Sequence, residues 1–167
     1  MALEESSARL EAGKQTEGFS ELVDKAENIL RRTAVDPAFE SDDAKQEQFP
    51  YVVLQHQDIV TEVIYTWLKE ASNVQRASLA VGRKPSDLAI SLLSSWSAIR
   101  TEHLDFPGKV KAGLTPNTTM VLLALEDLTV EGQNIKRGGD LCMDAADKIV
   151  FPPNQGERLA ILFELHL

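Results

Sequence analysis

A seven-residue recurrence, Val53, Val60, Trp67, Val74 and Val81, is the feature that most constrains how this chain can fold. Seven residues are close to two helical turns, so a side chain repeated at that interval returns to one face of an α-helix. Val63, Ile64, Ala71 and Ala77 fill neighbouring positions on that face. Pro50 suits a first helical turn, where its missing amide hydrogen would be unpaired anyway. Gly82 can take the left-handed conformation that ends a helix, and Pro85 blocks resumption. The pattern predicts one long helix over 50–81 with a break at Ser72-Asn73. Trp67 and the alanines favour packing within a bundle over a coiled coil.

A four-residue connection, "GRKP", then leads into "SDLAISLLSSWSAIRTEHL", read as a second helix over 86–104 antiparallel to the first. Ser86 is its cap, and Asp87 suits the positive end. At about 100° per residue its apolar side chains cover half of the circumference or more, wider than the stripe of an ordinary surface helix. Its serines are small enough to admit a second neighbour. Trp96 and Ile99, with the cations Arg83, Lys84 and Arg100, are therefore candidate partner-binding residues.

Past residue 117 the period changes to two. "TMVLLALEDLTV" reads as a strand, and "VEGQNIKRGGDLCM" as a short strand between glycine turns. "DKIVF" is another short strand. In "RLAILFELHL", Leu159, Ile161, Phe163, Leu165 and Leu167 alternate with Ala160, Leu162, Glu164 and His166. The expected fold class is α+β: N-terminal helices with a long helical hairpin, then a small antiparallel β-sheet or partial barrel over about 118–167.

Charge is uneven. Residues 1–49 hold 12 acids and 6 bases, within a chain of net charge −9. In this acidic leader "SELVDKAENILRR" reads as an amphipathic helix over about 20–33, capped by Ser20. Its stripe is Leu22, Val23, Ala26, Ile29 and Leu30. A lone helix of that length is marginal in water, so it must dock on something. The polar stretch to 49 reads as a linker, and 50–167 as a single α+β domain. The leader is a candidate partner-binding element through Leu22, Val23, Ile29 and Leu30. Between 76 and 111, Arg76, Arg83, Lys84, Arg100, Lys109 and Lys111 outnumber Asp87, Glu102 and Asp105. The overall acidity argues against nucleic acid and anionic membrane. No apolar run approaches a membrane span and no signal peptide opens the sequence, so the expected location is the cytoplasm or an assembled particle.

No convergent catalytic set is visible. "SSWS" lacks the glycines of a nucleophile elbow. His56, His103 and His166 lie far apart, without a second ligand at helical or strand spacing. His103 with Glu102 and Asp105 suits a charged helix end. Asp140, Asp144 and Asp147 do not match a calcium loop, and Cys142 reads as a buried structural thiol. The "IKRGGD" turn resembles the Gly-Asp turn of small β-barrels such as the metal-binding cupins. Their paired His-x-His ligands are absent, so nothing carries over. Lys136, Arg137, Gly138 and Gly139 are a candidate anion cradle. The expectation is a non-enzymatic protein-binding or structural subunit of a homo-oligomer or larger assembly, with no cofactor and no metal. The alternatives are a small anion-binding regulator using the β half and, third, an enzyme resting on His103 and Cys142.

Overall fold

The computed structural model describes residues 17–41, 51–80, 92–101, 109–111, 118–130, 133–144, 148–150 and 157–166. In chain order these form α1 (Glu17–Leu30), a single helical turn α2 (Pro37–Glu40), β1 (Tyr51–Val53), α3 (Asp58–Leu68) and α4 (Ala71–Ala80). Strands follow: β2 (Leu92–Thr101), β3 (Lys109–Lys111), β4 (Thr118–Ala124), β5 (Leu128–Val130), β6 (Gln133–Ile135), β7 (Asp140–Asp144), β8 (Lys148–Val150) and β9 (Leu159–His166). The frame is a five-stranded antiparallel sheet in the order β1-β2-β9-β4-β7. Two antiparallel pairs, β3-β8 and β5-β6, accompany it.

The last strand is the central one. β9 pairs with β2 from Leu92↔His166 to Arg100↔Leu159 and with β4 from Thr118↔His166 to Ala124↔Ala160. A strand buried on both faces needs apolar residues at odd and even positions alike. Leu159, Ile161, Phe163 and Leu165 enter one core with Val121, Leu123, Cys142 and the helices. Ala160 and Leu162 enter a second core with Ile99, Met120, Leu122, Leu141 and Met143, covered by Leu128, Val130 and Ile135 of the β5-β6 hairpin. The sheet therefore carries helices on one side and the hairpin on the other.

The expected helical hairpin is not there: the molecule is mostly antiparallel sheet with a few short helices. The segment 50–81 is a strand and two helices. Val60, Val63, Ile64 and Trp67 do share the buried face of α3. Val53, however, belongs to β1, and Lys69-Glu70 separate α3 from α4. The seven-residue spacing is helical only inside α3. The second predicted helix fails more completely, because 92–101 is β2 and the residues between α4 and β2 lie outside those described. Ala98 is buried on the helix side of the sheet and Ile99 on the other, a two-sided pattern that short apolar runs do not distinguish from a buried helix. Ser95 and Ser97 are sheet residues, and a register shift at Leu93/Ser95 marks a bulge.

The leader helix is real but begins by Glu17, so Ser20 lies inside it and caps nothing. Phe19, Val23, Ala26 and Leu30 are buried in the helix-side core with α3 and the sheet, and Leu22 and Ile29 pack against it. The expected linker is ordered at its start. Asp36 caps α2 by accepting from the Ala38 amide at 2.8 Å, Phe39 is buried, and Val35 bridges to Leu54. Among the described residues no helix is long and apolar enough to cross a membrane.

Candidate functional site

Three places gather chemistry-bearing side chains. The first is buried between α3, α4 and β7. Trp67 Nε1 donates to Asp140 Oδ2 at 3.0 Å, and Arg76 Nη2 donates to the same oxygen at 2.9 Å. Arg76 Nη1 bonds Asp140 Oδ1, and Arg76 Nη2 also donates to Asn73 Oδ1 at 2.5 Å. Asn73 Nδ2 returns a bond to the Trp67 carbonyl at 3.0 Å. The Thr119 hydroxyl donates to the Ala77 carbonyl at 2.6 Å. Every member is satisfied by another, as a buried polar network must be. The group ties the helices to the sheet edge. Cys142 sits against Asp140, and burial followed by that carboxylate pushes its thiol well above the usual range. It is not a nucleophile.

The second place is where α1 meets the end of the sheet. Glu27 takes Arg31 and Arg137, Asp24 takes Arg137, and Glu126 takes Arg31 and the Leu159 amide. Burial works against the Glu27 charge, but hydrogen bonds from Arg31 and Arg137 outweigh it and hold the carboxyl below its usual range. Two adjoining clefts open here. One of about 310 Å³ is lined by Arg31, Arg100, Glu126, Glu157 and Leu159. The other, of about 360 Å³, is lined by Glu27, Glu126, Asp127, Arg137 and Arg158. Arg31 and Arg137 are spent on Glu27, Glu126 and Asp24, so α1 is latched to the sheet here.

The third place is the sheet face under the β5-β6 hairpin. Its interior is apolar: Met120, Leu122, Leu162, Leu141 and Met143. Two of its groups titrate. Glu164, partly buried on β9 opposite Met120 and Ser95, is raised above the usual carboxylate range by burial. Tyr51 lies on the same side, and burial, then the Glu164 charge, pushes its hydroxyl well up. In the hairpin, Gln133 stands opposite Val130 and its Oε1 is buried with no partner among the described residues.

The sequence-predicted residues fall elsewhere. Leu22, Val23, Ile29 and Leu30 serve the chain's own core, and Ile99 is fully buried in the second core. Trp96 is 41% exposed on β2. Arg100 lines a cleft, and Arg83 and Lys84 lie outside the described residues. The basic stretch is no single face, since Arg76 is buried on Asp140. Nor do Lys136, Arg137, Gly138 and Gly139 form a cradle. Gly138, at φ 81°, gives its amide to Ala124, and Gly139 gives its amide to Lys136. Arg137 is spent on Asp24 and Glu27, and Lys136 stands 3.8 Å from Asp127. His56 is exposed near Asp58, while His103, Asp105 and Asp147 lie outside the described residues. Among the described residues, no three His, Cys, Asp or Glu side chains converge as a metal site would require. Glu164, Tyr51 and Gln133 were missed. The one signal for Glu164 was a carboxylate interrupting the apolar run "AILFEL".

No family model and no curated protein matches this chain. Among solved structures, AviO1 from Streptomyces viridochromogenes Tue57 matches with a TM-score of 0.58 at 12% identity, over 99% of this chain and 94% of that one. The viral collagen prolyl hydroxylase vCPH from Paramecium Bursaria Chlorella virus-1, solved as a 2OG complex, gives 0.45 at 9%, over 94% of each chain. The assembly-subunit expectation falls here. Its interface helix is a strand, its detachable leader is part of the core, and the fold is one shared with AviO1. What this chain shares with AviO1 is the fold.

Proposed function

We propose that this protein is an enzyme on an oxygenase-like jelly roll, transferring a proton to or from a small organic molecule at the partly buried Glu164, on the same sheet face as the β5-β6 hairpin. The observation that carries this reading is Glu164. Among the described residues it is the one carboxyl on that face of the central strands, and its environment holds it nearer neutrality than a surface acid. A carboxyl raised toward working pH, beside apolar walls, is what general acid–base catalysis requires. Tyr51 adds a neutral hydroxyl on the same side. Fold alone supports the class of architecture, not the chemistry.

The iron(II) centre of oxygenases with this fold needs two histidines and a carboxylate on one open site. Among the described residues no three His, Cys, Asp or Glu side chains converge into such a set: His56 is on the surface beside Asp58, and His103 lies outside the described residues. No step is routed through iron.

The test uses protein labelled at the methionine methyls and at the Glu164 carboxyl. Neutral small molecules that bind should shift Met120 and Met143 and move the Glu164 titration, and Glu164→Gln should abolish the second response. A Glu164 that titrates in the ordinary carboxylate range would overturn the reading. So would stoichiometric binding of manganese(II) together with 2-oxoglutarate, which would restore the iron-dependent chemistry of the fold.

A further inference from the structure

We propose that Glu27 of α1 is a clamp on the β5-β6 hairpin, holding both of its arms at once, so that the hairpin lifts from the second core as a unit when the clamp is released. The inference concerns access to that side of the sheet and does not depend on the role given to Glu164.

Among the described residues β5 and β6 pair with each other and with no strand of the five-stranded sheet. The hairpin is therefore held in two ways: by Leu128, Val130 and Ile135, which enter the second core, and by the bonds at its root. An element without ladder hydrogen bonds to the rest of a fold can open below the free energy of global unfolding. The root keeps a backbone pivot. The Leu125 amide donates to the Leu159 carbonyl at 3.1 Å, and the Gly138 amide to the Ala124 carbonyl at 2.7 Å. Gly138 has φ 81°, a conformation that other residues rarely adopt, so the outgoing arm turns there. Two clefts, of about 360 and 350 Å³, lie against the root, and both are lined by Asp127 and Arg158. Close packing does not fix the angle of the hairpin at that point.

Side chains fix it instead. On the incoming arm, Glu126 takes Arg31 and accepts the Leu159 amide at 2.9 Å. On the outgoing arm, the Arg137 amide donates to Asp127 at 2.9 Å, which ties the arms together, and its guanidinium reaches Asp24 and Glu27. Both routes converge on one carboxylate. Glu27 Oε1 accepts from Arg31 Nε at 3.2 Å and Nη2 at 2.5 Å, while Oε2 takes Arg137. One oxygen thus serves each arm. Glu27 is 8% exposed, and salt screens a charge in such a place less than one on the surface. Val23, Ala26 and Leu30 seat α1 in the helix-side core, which makes the helix a fixed point from which to hold the hairpin.

The test is amide hydrogen exchange on the full chain, with β5-β6, α1 and β9 followed together. Glu27→Gln keeps the shape of the side chain and removes its charge. Exchange in β5 and β6 should quicken by about fivefold or more, since one partly exposed ion pair is worth up to that factor, and β9 should keep its rate. Arg137→Met should quicken the same amides. The two changes together should do less than the product of their separate effects, because they remove one link. Leu30→Ala weakens α1 without touching the clamp and should quicken the hairpin and β9 alike. Hairpin amides that keep the wild-type rate in Glu27→Gln overturn the inference. An equal rise in β9 also overturns it, since the whole domain would then be weakened. A double variant whose effect equals the product of the single ones does so too, because Glu27 and Arg137 would then act separately. The Glu164 titration is read in another experiment, so either inference can fail without the other.

Discussion

Asp140 shows how one carboxylate can set the spacing between two layers. Its oxygens receive the Trp67 indole, both Arg76 nitrogens and the Cys142 thiol, and all of these groups are buried. Asp140→Ala would leave the Arg76 guanidinium buried without its counter-ion. Breaking a buried pair from one side costs about 3–5 kcal/mol, so urea unfolding should show a loss of that size. Glu164 behaves oppositely. Its folded pKa is raised, so the native state holds the proton more tightly than the unfolded chain. Its contribution to stability is therefore present at low pH and falls as pH rises from the ordinary carboxylate range through the raised folded value. Glu164→Gln should flatten that decline, and wild-type and variant unfolding curves compared from pH 4 to pH 8 should diverge across this window, with the variant ahead at the upper end.

Among the elements, α1 depends on its latch. The Glu27 carboxyl is held below its usual range, so its stabilisation is fully present above the unfolded value and is lost as pH falls through the folded one. Glu27→Gln should weaken α1 by about 1.5–3 kcal/mol, the worth of hydrogen bonds to charged groups. Hydrogen exchange should speed up in Glu17–Leu30 before it does in β9. The same helix was legible in the sequence because its period-3.6 stripe meets a single layer, and β9 was legible because alternation and a clean apolar run coincide in "LAILFELH". α3 was legible only in part: the Val60/Val63/Ile64/Trp67 face is local, whereas Val53 matched its spacing by accident from another element. β2 was misread because Trp96, Ala98 and Arg100 face one side while Ser97, Ile99 and Thr101 face the other. Both sides are partly covered, so neither period stands out. Of the candidate site only Glu164, a carboxylate interrupting the apolar run of β9, left a signal in the sequence. Tyr51 and Glu164 come from β1 and β9 of the five-stranded sheet and Gln133 from the separate β5-β6 pair, so no local pattern announces any link between them.

At the scale of the molecule the question is what the acidic leader does for the fold. Leu30 is fully buried, Val23 is 1% exposed, and both lie in the core that contains Trp67 and Phe163, whose rings meet edge to face at 5.3 Å between centroids. Salt links run from Asp24 and Glu27 to Arg137, more than a hundred residues away, and from Arg31 to Glu126. A helix attached this way closes the helix-side core as the β5-β6 hairpin closes the opposite one, so the sheet is covered on both faces by elements of its own chain. Removing a buried leucine leaves a cavity that the surroundings fill only in part, at a cost of about 2–5 kcal/mol. Leu30→Ala should therefore destabilise the whole domain by that amount, not release a free helix from an intact sheet. The transition should remain a single one, seen alike by Trp67 fluorescence and far-ultraviolet circular dichroism. Docking within one chain also makes the midpoint independent of protein concentration, whereas docking on a second copy would raise it as concentration rises. Unfolding the wild type and Leu30→Ala over a hundredfold range of concentration separates the two. Constant midpoints in both proteins, offset by the cavity cost, are the expected result.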